Sequence, residues 1–238
     1  MNLSALQAEV QANIADTTTA TAARITTWLN WAVDRMAREM DWLDLVTLDT
    51  TTYDTVASTE TVALASTVKH IYDIRYVDTA ESSKSRQLIY RPAFFQNRTR
   101  PYPPGDATGT PVFYWQVGRT LYFSPIPDAS KDLYITMQSW PTDMSSGTDS
   151  PSISNADDAI VAGATHQAFL SMPQLDGAEF AAEWLNKFVG LTREANRAER
   201  RLGGWRPVLR RHNSMGLHGY RSTDPISDPY NRRGAYAR

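Results

Sequence analysis

Two helical regions enclose a long block of β-type sequence, and this order constrains the fold more than any other feature. From residue 45 to 141, short β-branched and aromatic runs alternate with turn residues, as in antiparallel sheets. Amphipathic helical patterns lie on both sides of this block. Since each apolar helical stripe needs a partner, the economical solution packs the two helical regions together. The sequence therefore predicts an α+β fold, a small bundle of about four helices carrying an inserted antiparallel β domain.

The first helical region contains one strong and one weak pattern. Residues 22–43 carry apolar side chains at i, i+3, i+4 and i+7 spacing, with charged residues on the opposite side. A shorter amphipathic pattern lies ahead of them, formed by Leu3, Leu6, Val10 and Ile14. We therefore expect two helices before the β block.

The second helical region follows a polar segment, residues 142–155. An alanine-rich helix is expected from about residue 156, with Ser154 as its N-cap, and Pro173 must stop it. The last helix starts at Asp176, which caps it, and ends at a pair of glycines. Its predicted apolar stripe comprises Phe180, Trp184, Phe188, Leu191, Ala195, Ala198 and Leu202.

Within the β block, the clearest unit is a hairpin between residues 112 and 123. The dipeptide Gly118-Arg119 separates two apolar runs and suits a two-residue type II′ turn. A long connection rich in proline and glycine, residues 101–111, precedes this hairpin. It exceeds the usual hairpin loop, so it is either a contact loop or merely an exposed one.

The charge of the chain is unevenly distributed. The net charge is −2, but residues 193–238 contain eleven arginines, no lysine and four acids, a balance of +7, so residues 1–192 carry −9. The last 36 residues, 203–238, have no hydrophobic period and interleave arginines with aromatic residues, proline and glycine. Such a segment cannot bury itself on its own chain, and we interpret it as an extended basic arm.

These patterns divide the chain into four segments. We expect N-terminal bundle helices in residues 1–44, the inserted β domain in 45–141, C-terminal bundle helices in 142–202 and the arm in 203–238. No stretch approaches the roughly 18 apolar residues that cross a bilayer, and the N-terminus shows no secretory pattern. No membrane partner is therefore expected.

The residues that usually carry chemistry form no recognisable constellation. Cysteine is absent, which excludes disulfides and thiolate chemistry, and the four histidines lie outside metal-ligand spacings. Neither a phosphate-binding glycine loop nor a nucleophile elbow occurs. The acidic pair Asp157-Asp158 is expected in the first turn of a helix, where carboxylates interact favourably with the helix dipole, and is not expected to act in acid–base catalysis. We expect no enzyme activity and no cofactor, and a hydrolase acting on the cell envelope is the weakest alternative.

The basic arm permits two interpretations. Arginines and aromatic rings can hold nucleic acid through phosphate contacts and base stacking, which would make the chain a nucleic-acid-binding module. The same composition describes a peptide that folds onto a protein partner. Prolines and glycines spread the charge along the arm, and residues 222–231 look like a strand-like docking peptide. These two features favour a protein partner.

The order of motifs over residues 20–205 resembles the head-to-tail adaptor (connector) proteins of tailed bacteriophages. The opening helix ITTWLNWAVDRMAREMDWLDL leads into a threonine-rich first strand. The β insertion contains GTPVFY at 109–114 and LYFSPIPD at 121–128, followed by a strand that ends in SWP. DSPSIS then leads into an alanine-rich helix and a final charged helix. The long arm is also similar to adaptors that clasp the portal.

The resemblance implies a structural virion protein, assembled in the cytoplasm of a bacterial host. About a dozen copies would form a homo-oligomeric ring beneath the portal protein and extend the channel through which genomic DNA passes transiently. The β domain would face the next component, a tail nozzle or a tail-tube or neck protein. The residues agree with this, because an acidic body repels phosphate and lets DNA pass without gripping it.

Three sets of site residues follow as hypotheses. The portal-binding arm would use bidentate arginines and aromatic anchors, namely Trp205, Arg206, Pro207, Arg210, Arg211, Tyr220, Arg221, Tyr230, Arg232 and Arg233. Ring or bundle packing would involve Trp28, Trp31, Met36, Phe180, Trp184 and Phe188. The tail-facing loop would present Tyr102, Pro103, Pro104 and Asp106. No catalytic, cofactor-binding or metal-ligating residue is expected.

Overall fold

The computed structural model of the protein describes residues 1–15, 19–92, 108–171 and 177–202, and these ranges contain four α-helices and ten short strands. The helices are α1 (Leu3–Ile14), α2 (Thr19–Glu39), α3 (Asp157–Ser171) and α4 (Gly177–Leu202). Two helices precede the strands and two follow them, which confirms the predicted α+β fold. The division into four segments stays a prediction, and residues 203–238 lie outside the described residues.

The strands form two four-stranded sheets and one two-stranded pair. Their bounds are β1 (Val46–Asp49), β2 (Thr61–Ala63), β3 (Val68–Val77), β4 (Arg86–Gln87), β5 (Ile89–Tyr90), β6 (Thr108–Gly109), β7 (Phe113–Val117), β8 (Thr120–Ser124), β9 (Ile126–Pro127) and β10 (Asp132–Ser139). The first sheet has the order β1-β10-β3-β4 and is antiparallel throughout. The second has the order β2-β8-β7-β5, in which β5 and β7 are parallel, and β6 pairs with β9 in parallel.

The predicted hairpin is present as β7 and β8. The strands pair antiparallel, and Val117 lies opposite Thr120 across a two-residue loop. Gly118 has a φ of +61°, whereas Arg119 is not in the positive-φ region. A type I′ turn needs positive φ at both loop residues, so this backbone fits the type II′ turn that the sequence predicts.

The weaker of the two N-terminal patterns also forms its helix, α1. Leu3, Leu6, Val10 and Ile14 are all buried. The Oδ1 atom of Asn2 accepts a hydrogen bond from the Ala5 N–H at 3.0 Å and caps the N-terminus of the helix. Ala15 adopts the left-handed conformation and ends it.

Two predicted helix boundaries are wrong. The apolar pattern of α2 continues to residue 43, but the helix ends at Glu39, and residues 43–45 form a short 3-10 turn. At this end of α2, Met36 O accepts the Met40 N–H at 3.1 Å and also the Trp42 indole N–H at 3.0 Å, so the chain after the helix folds back onto its last turn. Ser154 does not cap α3, which starts three residues later, and instead donates its hydroxyl to Asp44 at 2.5 Å.

The alanine-rich helix α3 forms the centre of the bundle. It packs against α1, α2 and α4, and every residue from Ala159 to His166 is buried. A helix that is apolar on all sides can be surrounded in this way. Its small residues let the neighbouring helices approach closely. A Cβ atom on Gly163 would lie 2.8 Å from the Ala32 Cβ of α2 and 2.9 Å from the Phe188 ring of α4.

The buried face of α4 differs from the predicted stripe. Phe188 is fully buried as expected, but Phe180 is 50% exposed and Ala198 faces solvent. Ala181, Thr192 and Asn196 are buried instead. The buried side of α4 therefore includes polar residues near its C-terminus, and one of them, Asn196, binds the chain that connects α2 to β1.

Buried apolar side chains of the described residues form two hydrophobic clusters. One joins the helices with residues from both connecting segments, including Trp42, Leu45, Met144 and Ile153. The other lies between the two sheets and includes Tyr76, Leu121, Phe123 and Leu133. The bundle and the β module, residues 46–139, thus have separate cores.

Two glycines within helices test the close packing around α3. Gly163→Ala should lower the free energy of unfolding by about 1–3 kcal/mol, because the new methyl group has no room between α2 and α4. Gly190→Ala is the matched control, since nothing lies within 4 Å of a Cβ there. It should raise stability by about 0.5–1 kcal/mol through helix propensity. Urea unfolding followed by circular dichroism measures both, and equal stability of the two variants would contradict this packing.

Candidate assembly surfaces and their junction

A partly buried lysine joins the bundle to the β module. Lys69, the second residue of β3, places its ammonium on the C-terminus of α2. Its Nζ donates to Ala37 O at 2.5 Å, to Met40 O at 3.2 Å and to Asp41 Oδ1 at 3.3 Å. A cation at this position satisfies carbonyls that the helix leaves unpaired and interacts favourably with its dipole. The side chain is only 14% exposed, which strengthens these interactions.

Gln138 of β10 completes this junction beside Lys69. In the orientation that satisfies its neighbours, its amide nitrogen donates to Asp41 Oδ1 at 3.0 Å and to the Tyr72 hydroxyl at 3.1 Å. Its amide oxygen accepts from the Trp42 N–H at 3.0 Å. Burial raises the pKa of Tyr72 to about 12, and the negative charge of Asp41 adds to the effect. The hydroxyl therefore keeps its proton over the physiological range.

A second polar contact lies one turn further along the connection. The Asp44 N–H donates to Glu199 Oε1 of α4 at 2.9 Å, and Asp44 Oδ2 accepts from the Ser154 N–H at 2.7 Å. Asn196 of α4 donates its amide to Asp41 O at 2.9 Å. The connection between α2 and β1 is thus held by β3, by α4 and by the segment before α3. The β module is attached to the bundle by directional bonds as well as by the chain itself.

Glu199 of this junction also has a perturbed pKa. Burial raises the pKa of its carboxyl above the usual range, the Asp44 N–H lowers it in part, and the Asp44 carboxylate raises it further. The folded protein therefore binds a proton at Glu199 more tightly than the unfolded chain does.

The six predicted packing residues lie at three depths. Met36 and Phe188 are fully buried, and Trp28 is 8% exposed. Trp31 and Trp184 are partly buried, and Trp31 lies between His166 and Phe188 with ring centroids 6.2 and 6.3 Å away. Phe180 is half exposed and stacks on Phe169 with centroids 5.7 Å apart. Their assignment to ring or bundle contacts stays a hypothesis.

A shallow depression of about 310 Å³ lies on α2, lined by Trp31, Asp34, Arg35, Arg38 and Glu39. The Arg35 guanidinium lies 5.3 Å from the centre of a Trp31 ring and binds Glu39 at 2.8 Å. The depression is open and is lined mostly by charged side chains, so it is an exposed helix face with one aromatic anchor.

The β module carries most of the large apolar side chains that are exposed. Among the described residues these include Leu48, Val56, Ile89 and Val117, each more than half exposed. Leu48 lies on β1, an edge strand of the first sheet. Exposed apolar side chains at a sheet edge are suited to contacts with another protein.

The predicted arm residues from Trp205 to Arg233 and the predicted loop residues from Tyr102 to Asp106 lie outside the described residues. In the ranges that the structure does describe, no three histidine, aspartate or glutamate side chains converge as metal ligands. The same ranges contain no helix long and apolar enough to cross a membrane.

Sequence reasoning missed the junction itself. Lys69, Asp44 and Glu199 were not singled out, since each looks like an ordinary polar residue of its own strand, turn or helix. The only local signal is a polar stretch between two apolar patterns, which does not identify partners that lie more than 100 residues apart.

Edge strands with exposed apolar residues and an open helix face define an interaction module. The chain belongs to the SU10 adaptor protein family, whose family model matches residues 1–211. This confirms the resemblance to phage head-to-tail adaptors and extends it to α1, which lies before the motifs that carried the resemblance. As a member of the family, the chain is a phage adaptor protein and a component of the virion. No curated protein matches it.

Lys69→Met tests the junction. Losing the ammonium removes the donor that Lys69 supplies to Ala37 O and Met40 O and leaves Asp41 only its bond from Gln138, which should lower the free energy of unfolding by about 1–3 kcal/mol. Lys84→Met is the control, because Lys84 is exposed and only pairs with Glu81. Its effect should stay within about 0.5 kcal/mol. Chemical unfolding measures both variants, and equal losses would show that Lys69 does not support the junction.

Glu199→Gln tests the raised pKa. A raised folded-state pKa means that stability is greatest below the unfolded-state value and falls as pH rises through the folded-state value. The glutamine keeps an oxygen for the Asp44 N–H but carries no charge, so its stability should fall less over this pH range. The difference in unfolding free energy between the two proteins, measured from pH 4 to 8, should therefore grow in favour of glutamine.

Proposed function

We propose that this chain is a head-to-tail adaptor of a tailed phage. About a dozen copies form a ring beneath the portal, and this ring extends the DNA channel and offers the tail a docking platform. The observation that carries the proposal is the family match over residues 1–211, which covers every described helix and strand. Assembly takes place in the cytoplasm of the bacterial host, and the ring becomes part of the neck.

The β module is the part that faces the tail component. It carries exposed apolar residues such as Leu48 and Val117, which suit a protein contact that forms late in assembly. The tail-facing loop with Tyr102, Pro103, Pro104 and Asp106 belongs to this proposal. In sequence it connects β5 to β6, so it starts and ends within the β module.

The arm docks on the portal through its arginines and aromatic residues. The length of the arm supports this proposal, because an arm that docks on another ring must reach beyond its own bundle. α4 has 26 residues and is about 39 Å long. The 36 residues of the arm can span about 120 Å when extended, three times that length.

Deletion of residues 205–238 tests the role of the arm. The truncated chain should lose affinity for the purified portal by more than about a hundredfold, since it lacks the aromatic and arginine anchors. Its circular dichroism spectrum and melting temperature should stay those of the full chain, because every described element is retained. Sedimentation of adaptor and portal mixtures measures the binding.

A full-length variant with Trp205→Ala, Tyr220→Ala and Tyr230→Ala is the matched control for charge. It keeps every arginine and should still bind weakly, with a steeper dependence on salt. Portal binding by the truncated chain at full affinity would refute the role of the arm. If the arm instead confers tight, salt-sensitive binding to duplex DNA and none to portal, the chain is a nucleic-acid-binding module.

A further inference from the structure

The outer face of α4 carries a stripe of arginines. Arg193, Arg197 and Arg200 are exposed and follow one another at i, i+4 and i+7, so they lie on one side of the helix. The helix dipole favours cations only within the last turn, which accounts for Arg200 but not for Arg193 and Arg197. Like charges four residues apart destabilise a helix. The described ion pairs include none of these three arginines. The stripe is therefore suited to bind a negatively charged surface.

A second edge of the bundle has the opposite charge. Residues 141–171 contain four aspartates and neither lysine nor arginine, and α1 contributes Glu9 without any basic residue. Glu9, Asp143 and Asp158 are exposed, whereas Asp157 binds the Met1 amino group at 2.6 Å. We call the stripe of Arg193, Arg197 and Arg200 the basic edge. The surface formed by Glu9, Asp143 and Asp158 is the acidic edge.

The two edges lie on different sides of α3. Gly163 faces the space between α2 and α4, since its Cβ would touch the Ala32 Cβ and the Phe188 ring. Thr165 faces α1, because its hydroxyl accepts from the Asn13 amide at 3.4 Å. Two residues correspond to roughly 200° of rotation around a helix. α1 therefore packs on a different side of the central helix from the side that faces α2 and α4.

The edges also lie at the same height along the bundle. Asp44 binds Glu199 of α4 on one side and Ser154, just before α3, on the other. Arg200, next to Glu199, and Asp158, close to Ser154, therefore lie at a similar height along the axis of α3. By the rise of an α-helix, Arg193 lies about 10 Å from Arg200 toward the N-terminus of α4, and Glu9 lies about 9 Å from the first residue of α1.

We infer that the basic edge of one copy binds the acidic edge of the next copy. The two surfaces are different, complementary in charge and on different sides of the central helix, which suits a heterologous contact that closes a ring. The inference rests on the proposed ring and names the surfaces that form it. The occupant of each edge is a second copy of this chain.

Charge reversal on each edge tests this contact. Arg193→Glu with Arg197→Glu makes both edges acidic, and Glu9→Lys with Asp158→Lys makes both edges basic. Each variant alone should form rings, with or without portal, at least about tenfold less well than the wild type. An equimolar mixture should assemble again, because alternating copies place opposite charges at every contact. Native mass spectrometry counts the rings and identifies the copies in them.

Lys84→Glu with Arg86→Glu is the matched control, with the same change of charge on the β module. It should assemble as the wild type does. Ring formation by the Arg193 and Arg197 variant at the wild-type level would overturn the inference while leaving the adaptor function intact. Failure of the mixture to restore rings would also overturn it, since the edges would not be mutual partners. Failure of the wild type to form any ring with portal would instead refute the proposed function.

Discussion

The architecture depends on a partly buried cation, the Lys69 ammonium, which binds the C-terminus of α2 and so attaches the first sheet to this helix. The Lys69 ammonium binds the terminal carbonyls of α2 and the Asp41 carboxylate, and the lysine belongs to β3. The two hydrophobic cores of the chain are separate, and apolar packing alone has no strong directional preference. Charge-assisted hydrogen bonds do have one. They set the orientation of the β module on the bundle, and with it the direction in which the exposed edge strand β1 points.

The central helix determines what the bundle shows to its surroundings. Because α3 is small and apolar on every side, α1, α2 and α4 pack around it and turn their charged residues outward. Gly163 leaves room for Ala32 of α2 and the Phe188 ring of α4. The described bundle residues thus expose charged side chains of both signs, acidic ones such as Glu9 and Asp158 and basic ones such as Arg193 and Arg197.

Family membership and geometry contribute different parts of the functional argument. The match over residues 1–211 places the chain among adaptor proteins. The structure adds which surfaces are apolar and which are charged. Near the end of α4, Glu199 binds the Asp44 N–H, so this helix and the connection to β1 meet at the junction. A few polar residues around Asp41 and Asp44 thus hold the bundle and the β module together.

The amino-acid sequence alone determined the order of the elements, the helix of Leu3, Leu6, Val10 and Ile14, the hairpin at Gly118 and the class of protein. These features depend on local periodicity, on turn residues or on motif order, all of which are readable along the chain. Only the tertiary structure decided the end of α2, the role of Ser154 and the face that α4 buries, where Asn196 is inside and Phe180 half exposed. The physical reason is that these outcomes depend on partners distant in sequence: the Asn196 amide, for example, donates to Asp41 O, 155 residues away.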